Sequence, residues 1–287
     1  MPNVLITGAN GQLGSELKEL SSNYNDNFYF VSKNELDISN SSILEQFIIN
    51  NKISIIINTA AYTAVDKAED EKDLAYIINH KSVEEMAKIC AKYNVYLIHI
   101  STDYVFDGTN YMPYKVDDKT NPLGVYGRSK ELAEQVILNT PNLNASIIRT
   151  SWVYSFYGKN FLKTMLNLFK TKDSLGVVSD QIGSPTYAKD LADFILSKQT
   201  KFKSGVNIYH YSNEGVCSWY DFAYFINELS GNKCKIYPIK TSEYPTKATR
   251  PSYSVLDKDK IKKEFEIGIS HWSEGVKDCL KRLGELK

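Results

Sequence analysis

The sequence predicts an α/β fold: a doubly wound parallel sheet followed by a smaller carboxy-terminal lobe. Three observations lead there. Short apolar runs rich in β-branched and aromatic residues alternate with helical periodicity through the first half of the chain, the pattern of parallel strands joined by crossover helices. Gly8, Gly11 and Gly14 follow the first of these runs directly and open the first helix. The fourth run ends in Ser101-Thr102-Asp103, polar groups at the carboxyl end of a strand, where open parallel sheets place their ligands.

Each element can be justified in order. Val4-Leu5-Ile6 makes the first strand, and residues 12–20 after the glycines read as a helix. Residues 28–31 form the second strand, and 42–50 a helix with Ser41 or Ser42 as its cap. The third strand spans residues 53–57. Residues 83–92 keep Met86, Ala87, Ile89 and Cys90 on one side, as an amphipathic helix does. Residues 95–100 and 145–148 complete the strands, all of them apolar throughout, as a sheet covered on both faces requires. After Trp152 the pattern loosens into a helix-like segment at 161–170, a turn-rich Gly183-Ser184-Pro185-Thr186 loop, a strand at 206–211 and a helix at 220–229. Residues 1–152 are expected to form the sheet domain, with a strand near 206–212 returning to it. Residues 153–287 are expected to form most of the smaller lobe, with a cleft between the two.

Bulk composition excludes several classes. A chain of 287 residues with 43% hydrophobic and 24% charged residues is ordinary for a globular enzyme, neither disordered nor fibrous. Its 34 basic and 34 acidic side chains cancel, so no long-range field draws it to nucleic acid or anionic lipid. No apolar run is long enough to span a bilayer, and the amino terminus reads as a strand, not a secretory signal. Cys90, Cys217, Cys234 and Cys279 are scattered without zinc or redox spacing, so reduced, buried thiols and a cytoplasmic location are expected.

The glycine turn lets backbone approach a pyrophosphate seated on a helix amino terminus. Its spacing of three and three differs from the two-and-three spacing of simple dehydrogenases. Val31-Ser32-Lys33-Asn34 lacks the acid that would accept hydrogen bonds from a ribose diol. Lys33, with Ser32 beside it, is instead placed to meet a 2′-phosphate, which favours NADPH, with NADH the alternative. Asp37-Ile38 is expected to flank the adenine, and Asn58-Thr59-Ala60-Ala61-Tyr62 brings small residues where backbone and cofactor meet.

Tyr126 and Lys130 stand one helical turn apart, a phenol and an ammonium. A carbonyl that receives hydride develops negative charge on oxygen and needs a proton in the same transition state. Free tyrosine titrates near pKa ~10, and an ammonium at the next turn is expected to lower that value by favouring phenolate. Thr102 offers a hydroxyl to hold the carbonyl oxygen. With 20 tyrosines in the chain the pair means little alone; its order behind a glycine loop and a Ser-Thr-Asp strand end makes it specific.

These residues resemble the extended short-chain dehydrogenase/reductase family with its Rossmann fold, and within it the dTDP-4-dehydrorhamnose reductase family. The resemblance rests on Gly8 to Gly14, Thr63-Ala64-Val65-Asp66-Lys67-Ala68-Glu69, Ser101 to Phe106, Tyr126-Gly127-Arg128-Ser129-Lys130 and Arg149-Thr150-Ser151-Trp152-Val153-Tyr154. It continues through Asp180-Gln181-Ile182-Gly183-Ser184-Pro185-Thr186 to Arg250-Pro251. It implies that Thr102, Tyr126 and Lys130 are catalytic, and that Asn10, Gly11, Gln12, Leu13, Asp37, Ile38, Ala60, Ala61, Tyr62 and Asn79 line the cofactor. Thr63, Val65, Asp103, Trp152 and Arg250 would face a sugar nucleotide, Arg250 by binding a diphosphate oxygen. The implied reaction is reduction of a nucleotide-linked 4-keto-6-deoxysugar by NAD(P)H, and relatives are commonly homodimers.

Some members of the family hold magnesium in an acidic interface cluster. Glu16 matches part of it, but Ala188-Lys189-Asp190 puts a lysine where an acid is expected, which speaks against a metal and leaves Glu16 as a solvated helix residue. Sugar 4,6-dehydration would need an Asp-Glu pair after the threonine, and here Asp103 is followed by Tyr104. The regulatory subunit of methionine adenosyltransferase looks like the same fold and binds NADP without catalysis, so the retained Thr102, Tyr126 and Lys130 separate enzyme from binding subunit.

Overall fold

The computed structural model describes all residues, 1–287. Six parallel strands form the central sheet: β1 (Asn3–Thr7), β2 (Asn27–Val31), β3 (Ile55–Asn58), β4 (Tyr96–Thr102), β5 (Ala145–Thr150) and a later one at Val206–His210. The strand order is Val206–His210, β5, β4, β3, β1, β2. Two helices of the first half match their sequence periods closely, α1 (Gln12–Leu20) and α3 (Ser82–Tyr93), with α2 (Ser41–Asn50) between them. The cap of α2 is Asn40, whose side chain accepts from Ile43 N at 3.2 Å, and not Ser41 or Ser42. In the β-region backbone of the cap position, the Asn40 oxygen reaches the orphan N–H of the first turn. Short helices at Val65–Ala68 and Lys72–Tyr76 run into a π-helical turn at Ile77–Lys81, and α4 (Val125–Asn139) carries Tyr126 and Lys130.

Alternate strand residues point to opposite faces. Leu5, Ile56, Leu97, Ala145 and Ile147 pack against α2, α3 and α4 on one side. Val4, Ile6, Ile55, Ile57, Ile98 and Ile148 pack on the other side against α1 and against residues from far downstream. The smaller lobe contains α5 (Phe161–Phe169), β6 (Ser174–Val178), α7 (Trp219–Ser230), β8 (Lys235–Ile239) and α9 (Trp272–Leu283), with β6 and β8 paired in parallel. Between these elements the chain returns to the sheet as α6 (Ala188–Lys198), β7 (Val206–His210, the sixth strand) and α8 (Asp259–Phe265). Leu191, Phe194, Ile195, Tyr209 and Phe265 belong to the same cluster as Val4 and Ile6. Residues beyond 152 therefore supply both the smaller lobe and one cover of the sheet. No helix is long and apolar enough to cross a membrane.

Candidate active site

The carboxyl edge of the sheet opens into a cleft of about 360 Å³ lined by Gly8, Asn10, Gly11, Lys33, Asp37, Ile38, Ala60 and Ala61, together with Ser32, Thr59 and Ile78. Gly8 has φ +68°, and a Cβ there would lie 2.7 Å from Ala60 N. A Cβ on Gly14 would lie 2.4 Å from Gly8 O, so only glycine lets α1 start this close to β1. The amino terminus of α1 has no side-chain cap, which leaves the N–H groups of Gln12, Leu13 and Gly14 facing outward as an anion cradle. Beyond the backbone, Leu13 is core and the Gln12 amide accepts from Asn160 Nδ2 at 3.0 Å, tying the cradle to the smaller lobe.

At the end of β2, Lys33 lies exposed in the cleft wall, but Ser32 is not free beside it. Ser32 N and Oγ both donate to Glu35 Oε2, at 2.8 and 2.7 Å, so the expected help from Ser32 is withdrawn by a carboxylate three residues on. Asp37 Oδ1 accepts from Ser39 N and Oγ, and these bonds hold its carboxyl below the usual range. Asn79, buried in the π-helical turn, does not spend its amide on the cleft directly. It accepts from Tyr62 N (2.8 Å), donates to Tyr62 O (3.0 Å) and donates to Ser129 Oγ (3.0 Å), clamping the Ala60–Ala61–Tyr62 loop to α4. Tyr62 Oη donates to Glu71.

Thr102 ends β4, and its Oγ1 accepts from Tyr104 N while donating to Asp103 Oδ1 at 3.1 Å. The Thr102 hydroxyl also meets the Tyr126 phenol, and the Tyr104 ring stands edge-on to Tyr126 with centroids 5.6 Å apart. A Cβ on Gly127 would come within 2.2 Å of Tyr104 O, so the first turn of α4 is pressed against the strand-end turn. Lys130 is 2% exposed; its Nζ donates to Ile100 O at 2.7 Å and lies 3.0 Å from His99 Nε2. The expected lowering of the phenol by Lys130 is not what the geometry gives. Burial pushes the Tyr126 phenol up to about 12, the Thr102 hydroxyl opposing the rise and the Asp103 carboxyl adding to it, while the Lys130 ammonium is engaged by Ile100 O and His99. Burial likewise brings Lys130 down to about 8, with Glu134 acting in the opposite sense.

Asp103 is buried, its Oδ2 has no hydrogen-bond partner, and burial raises its carboxyl to about 6. Beyond it lies a second cavity of about 430 Å³, walled by apolar side chains of α5 and β6, with Tyr104, Gln181, Trp219, Tyr244 and Arg250 among its lining. Arg250 is held by Asp66 in a two-point ion pair, at 2.7 and 3.2 Å. Trp152 has φ +49° and stacks on Trp219 with centroids 3.5 Å apart. A left-handed tryptophan is strained backbone of the kind that gathers at binding sites. Thr63 is exposed on the loop after Tyr62, and Val65 opens the short helix that carries Asp66.

Glu16 corrects the expectation of a solvated residue. It is fully buried and accepts from Ser155 Oγ at 2.6 Å and from Arg282 at 2.9 and 3.1 Å. A guanidinium, not a bare carboxylate, occupies its surroundings. Sequence reasoning also passed over Tyr104, Trp219, His99 and the pairing of Asp66 with Arg250. His99 stands three residues before Thr102 on β4, but nothing local in sequence signals its contact with Lys130.

A doubly wound sheet with a glycine cradle at one strand end and a Thr, Tyr and Lys gathered at another defines the class as an extended short-chain dehydrogenase/reductase. The chain belongs to the family whose model is described as the RmlD substrate binding domain, which matches residues 2–285. It is 43% identical over 285 residues to the spore coat polysaccharide biosynthesis protein SpsK of Bacillus subtilis, covering 98% of both chains. A crystal structure of a dTDP-4-dehydrorhamnose reductase from Clostridium acetobutylicum is similar at a TM-score of 0.93 and 39% identity, covering 98% of this chain and 99% of that one. The Bacillus anthracis dTDP-4-dehydrorhamnose reductase in complex with NADP gives 0.91 and 38%, over 98% of this chain and 100% of that one.

Proposed function

We propose that this chain reduces the 4-keto group of a nucleotide-activated 6-deoxysugar with NADPH, most directly dTDP-4-dehydro-L-rhamnose to dTDP-L-rhamnose, for cell-surface polysaccharide synthesis. One observation carries the reading: the neighbours of Tyr126 connect it to both cavities. Tyr104, which lines the larger cavity, meets its ring edge-on, and Ser129 in the same helix turn is tied through Asn79 to the Tyr62 loop of the other cleft. The uncapped amino terminus of α1 and the space that Gly8 and Gly14 keep open fit a dinucleotide pyrophosphate. The bound dinucleotide supplies hydride. Tyr126 gives the proton to the developing alkoxide, Thr102 orients the carbonyl oxygen, and Lys130 holds the nicotinamide ribose. Arg250, preset by Asp66, offers N–H groups to the sugar diphosphate.

The four cysteines are free and buried, which agrees with action in a reducing cytoplasm. The test is NADPH absorbance with and without the 4-keto sugar nucleotide, followed by NMR of the product. NADPH consumption that depends on the sugar is expected. Binding of NADPH without consumption would instead favour a non-catalytic regulatory subunit.

A further inference from the structure

A row of buried polar side chains runs behind Lys130, across the sheet. Thr7, Asn58 and His99 are lateral neighbours in register on β1, β3 and β4. All three are at most 1% exposed. Thr7 Oγ1 is 2.6 Å from Asn58 Oδ1, Asn58 Nδ2 is 3.0 Å from His99 Nδ1, and His99 Nε2 is 3.0 Å from Lys130 Nζ. Buried polar groups without partners cost on the order of 1–3 kcal/mol each, so a complete row of this kind constrains every member. The mechanism above uses none of the three.

Two proton arrangements satisfy the whole row. In the first, the Asn58 amide N–H donates to His99 Nδ1, the ring carries its proton on Nε2, and Lys130 accepts as a neutral amine. In the second, the Asn58 amide is turned over, its N–H now donates to Thr7 Oγ1, His99 Nδ1–H donates to the amide oxygen, and Nε2 accepts from the Lys130 ammonium. The charge of the lysine and the tautomer of the histidine are therefore one variable.

We propose that His99 is a positioning residue for Lys130: its ring, fixed by Asn58 and Thr7, supplies the buried ammonium with an acceptor and, by changing tautomer, lets the lysine exist with or without its proton. The proposal rests on the reductase reading and deepens it. The surrounding charges are few. Glu134, on the next turn of α4, favours the ammonium but is itself paired with Arg149 of β5 at 2.6 Å. Tyr126 lies on the preceding turn of α4 and Asp103 beyond it at the end of β4, while β1 and β3 bring the uncharged Thr7 and Asn58. Burial keeps His99 itself from taking a second proton, since its pKa is driven well below the usual imidazole value, with the Lys130 charge adding to the effect.

The test is the pH profile of kcat, with NADPH affinity by fluorescence across the same range. Loss of the Lys130 proton should set the basic limb. His99→Leu removes the acceptor and should move that limb to lower pH by about one unit, with the KM for the sugar changed little. His99→Gln, whose amide oxygen can still accept, should recover part of the shift. Asn58→Asp, which fixes the Nδ1–H tautomer, should move the limb to higher pH. Should His99→Leu fail to fold, the other two variants decide. Limbs that coincide with the parent, with kcat merely scaled down, would overturn the proposal. Parent protein that never oxidises NADPH would overturn the reductase reading alone, and the affinity profiles would still decide the role of His99.

Discussion

Tyr126 begins from a position unfavourable to proton loss, since burial lifts its phenol to about 12. At neutral pH it stays loaded, and only the alkoxide formed by hydride arrival is basic enough to take the proton. Tyr126→Phe should keep the fold and NADPH affinity and lower kcat by at least ~100-fold, the usual scale for a lost proton donor; near-normal turnover would exclude the role. Asp103 is the costly neighbour. Its folded value of about 6 lies above the ordinary 3.8, so the folded state holds this proton more tightly than the unfolded chain. The stability this proton linkage gives is full below about pH 4 and is lost as pH rises through about 6. Asp103→Asn should therefore stabilise the protein at pH 8 by on the order of 2 kcal/mol, with the gain vanishing near pH 4 and with activity reduced. A gain in Tm equal at both pH values would refute this. Lys33→Asp should weaken NADPH more than NADH; equal loss of both would remove Lys33 from 2′-phosphate recognition. At this scale the meeting of Thr102 with Tyr126 was legible, because a strand-end threonine and a tyrosine in a helix that follows the sheet are brought together at the carboxyl edge. The partner chosen by Lys130 was not, because it depends on how α4 lies over β4.

At the scale of elements, α4 is a ruler. Tyr126, Lys130 and Glu134 recur every four residues along the side facing the sheet. Each finds a different station: Tyr126 the strand-end turn, Lys130 the Ile100 carbonyl, and Glu134 the Ser101 hydroxyl and Arg149. The seating of this ruler depends on Gly127 lying against Tyr104 O. Gly127→Ala should lift the first turn and displace the phenol, lowering kcat by about 10-fold or more, as small misplacements in a site can, while the KM for NADPH stays nearly constant. Unchanged kcat would show that the turn tolerates the methyl group. The long elements were readable because four or five apolar positions repeat at one period. The helices at Val65–Ala68 and Lys72–Tyr76 and the π-helical turn were not, being too short for a period to declare itself. With them went the bonds by which Asn79 clamps the Tyr62 loop to α4.

At the scale of the molecule, the doubly wound sheet was legible because its strands are apolar on both faces. The return of α6 and α8 to that sheet was not, since their apolar faces would equally suit the smaller lobe. Nor was the way the chain's end binds its beginning. Arg282 in α9 donates to Glu16 and also pairs with Glu19, both of α1, and its guanidinium lies 4.9 Å over the Phe156 ring. Glu16 is fully buried while Arg282 keeps a side-chain exposure of 17%, so the carboxylate depends on the guanidinium more than the reverse. Removing one member of a buried pair strands the other charge, typically at about 3–5 kcal/mol, whereas replacing both with neutral groups is far milder. Arg282→Met should therefore lower the unfolding free energy by about that amount in urea at pH 7, and Glu16→Gln added to it should restore most of the loss. Because α1 also presents the glycine cradle, the single variant should weaken NADPH binding and the double variant should recover it. A double variant no more stable than Arg282→Met would mean that packing of the arginine stem on Phe156, and not the stranded carboxylate, accounts for the loss.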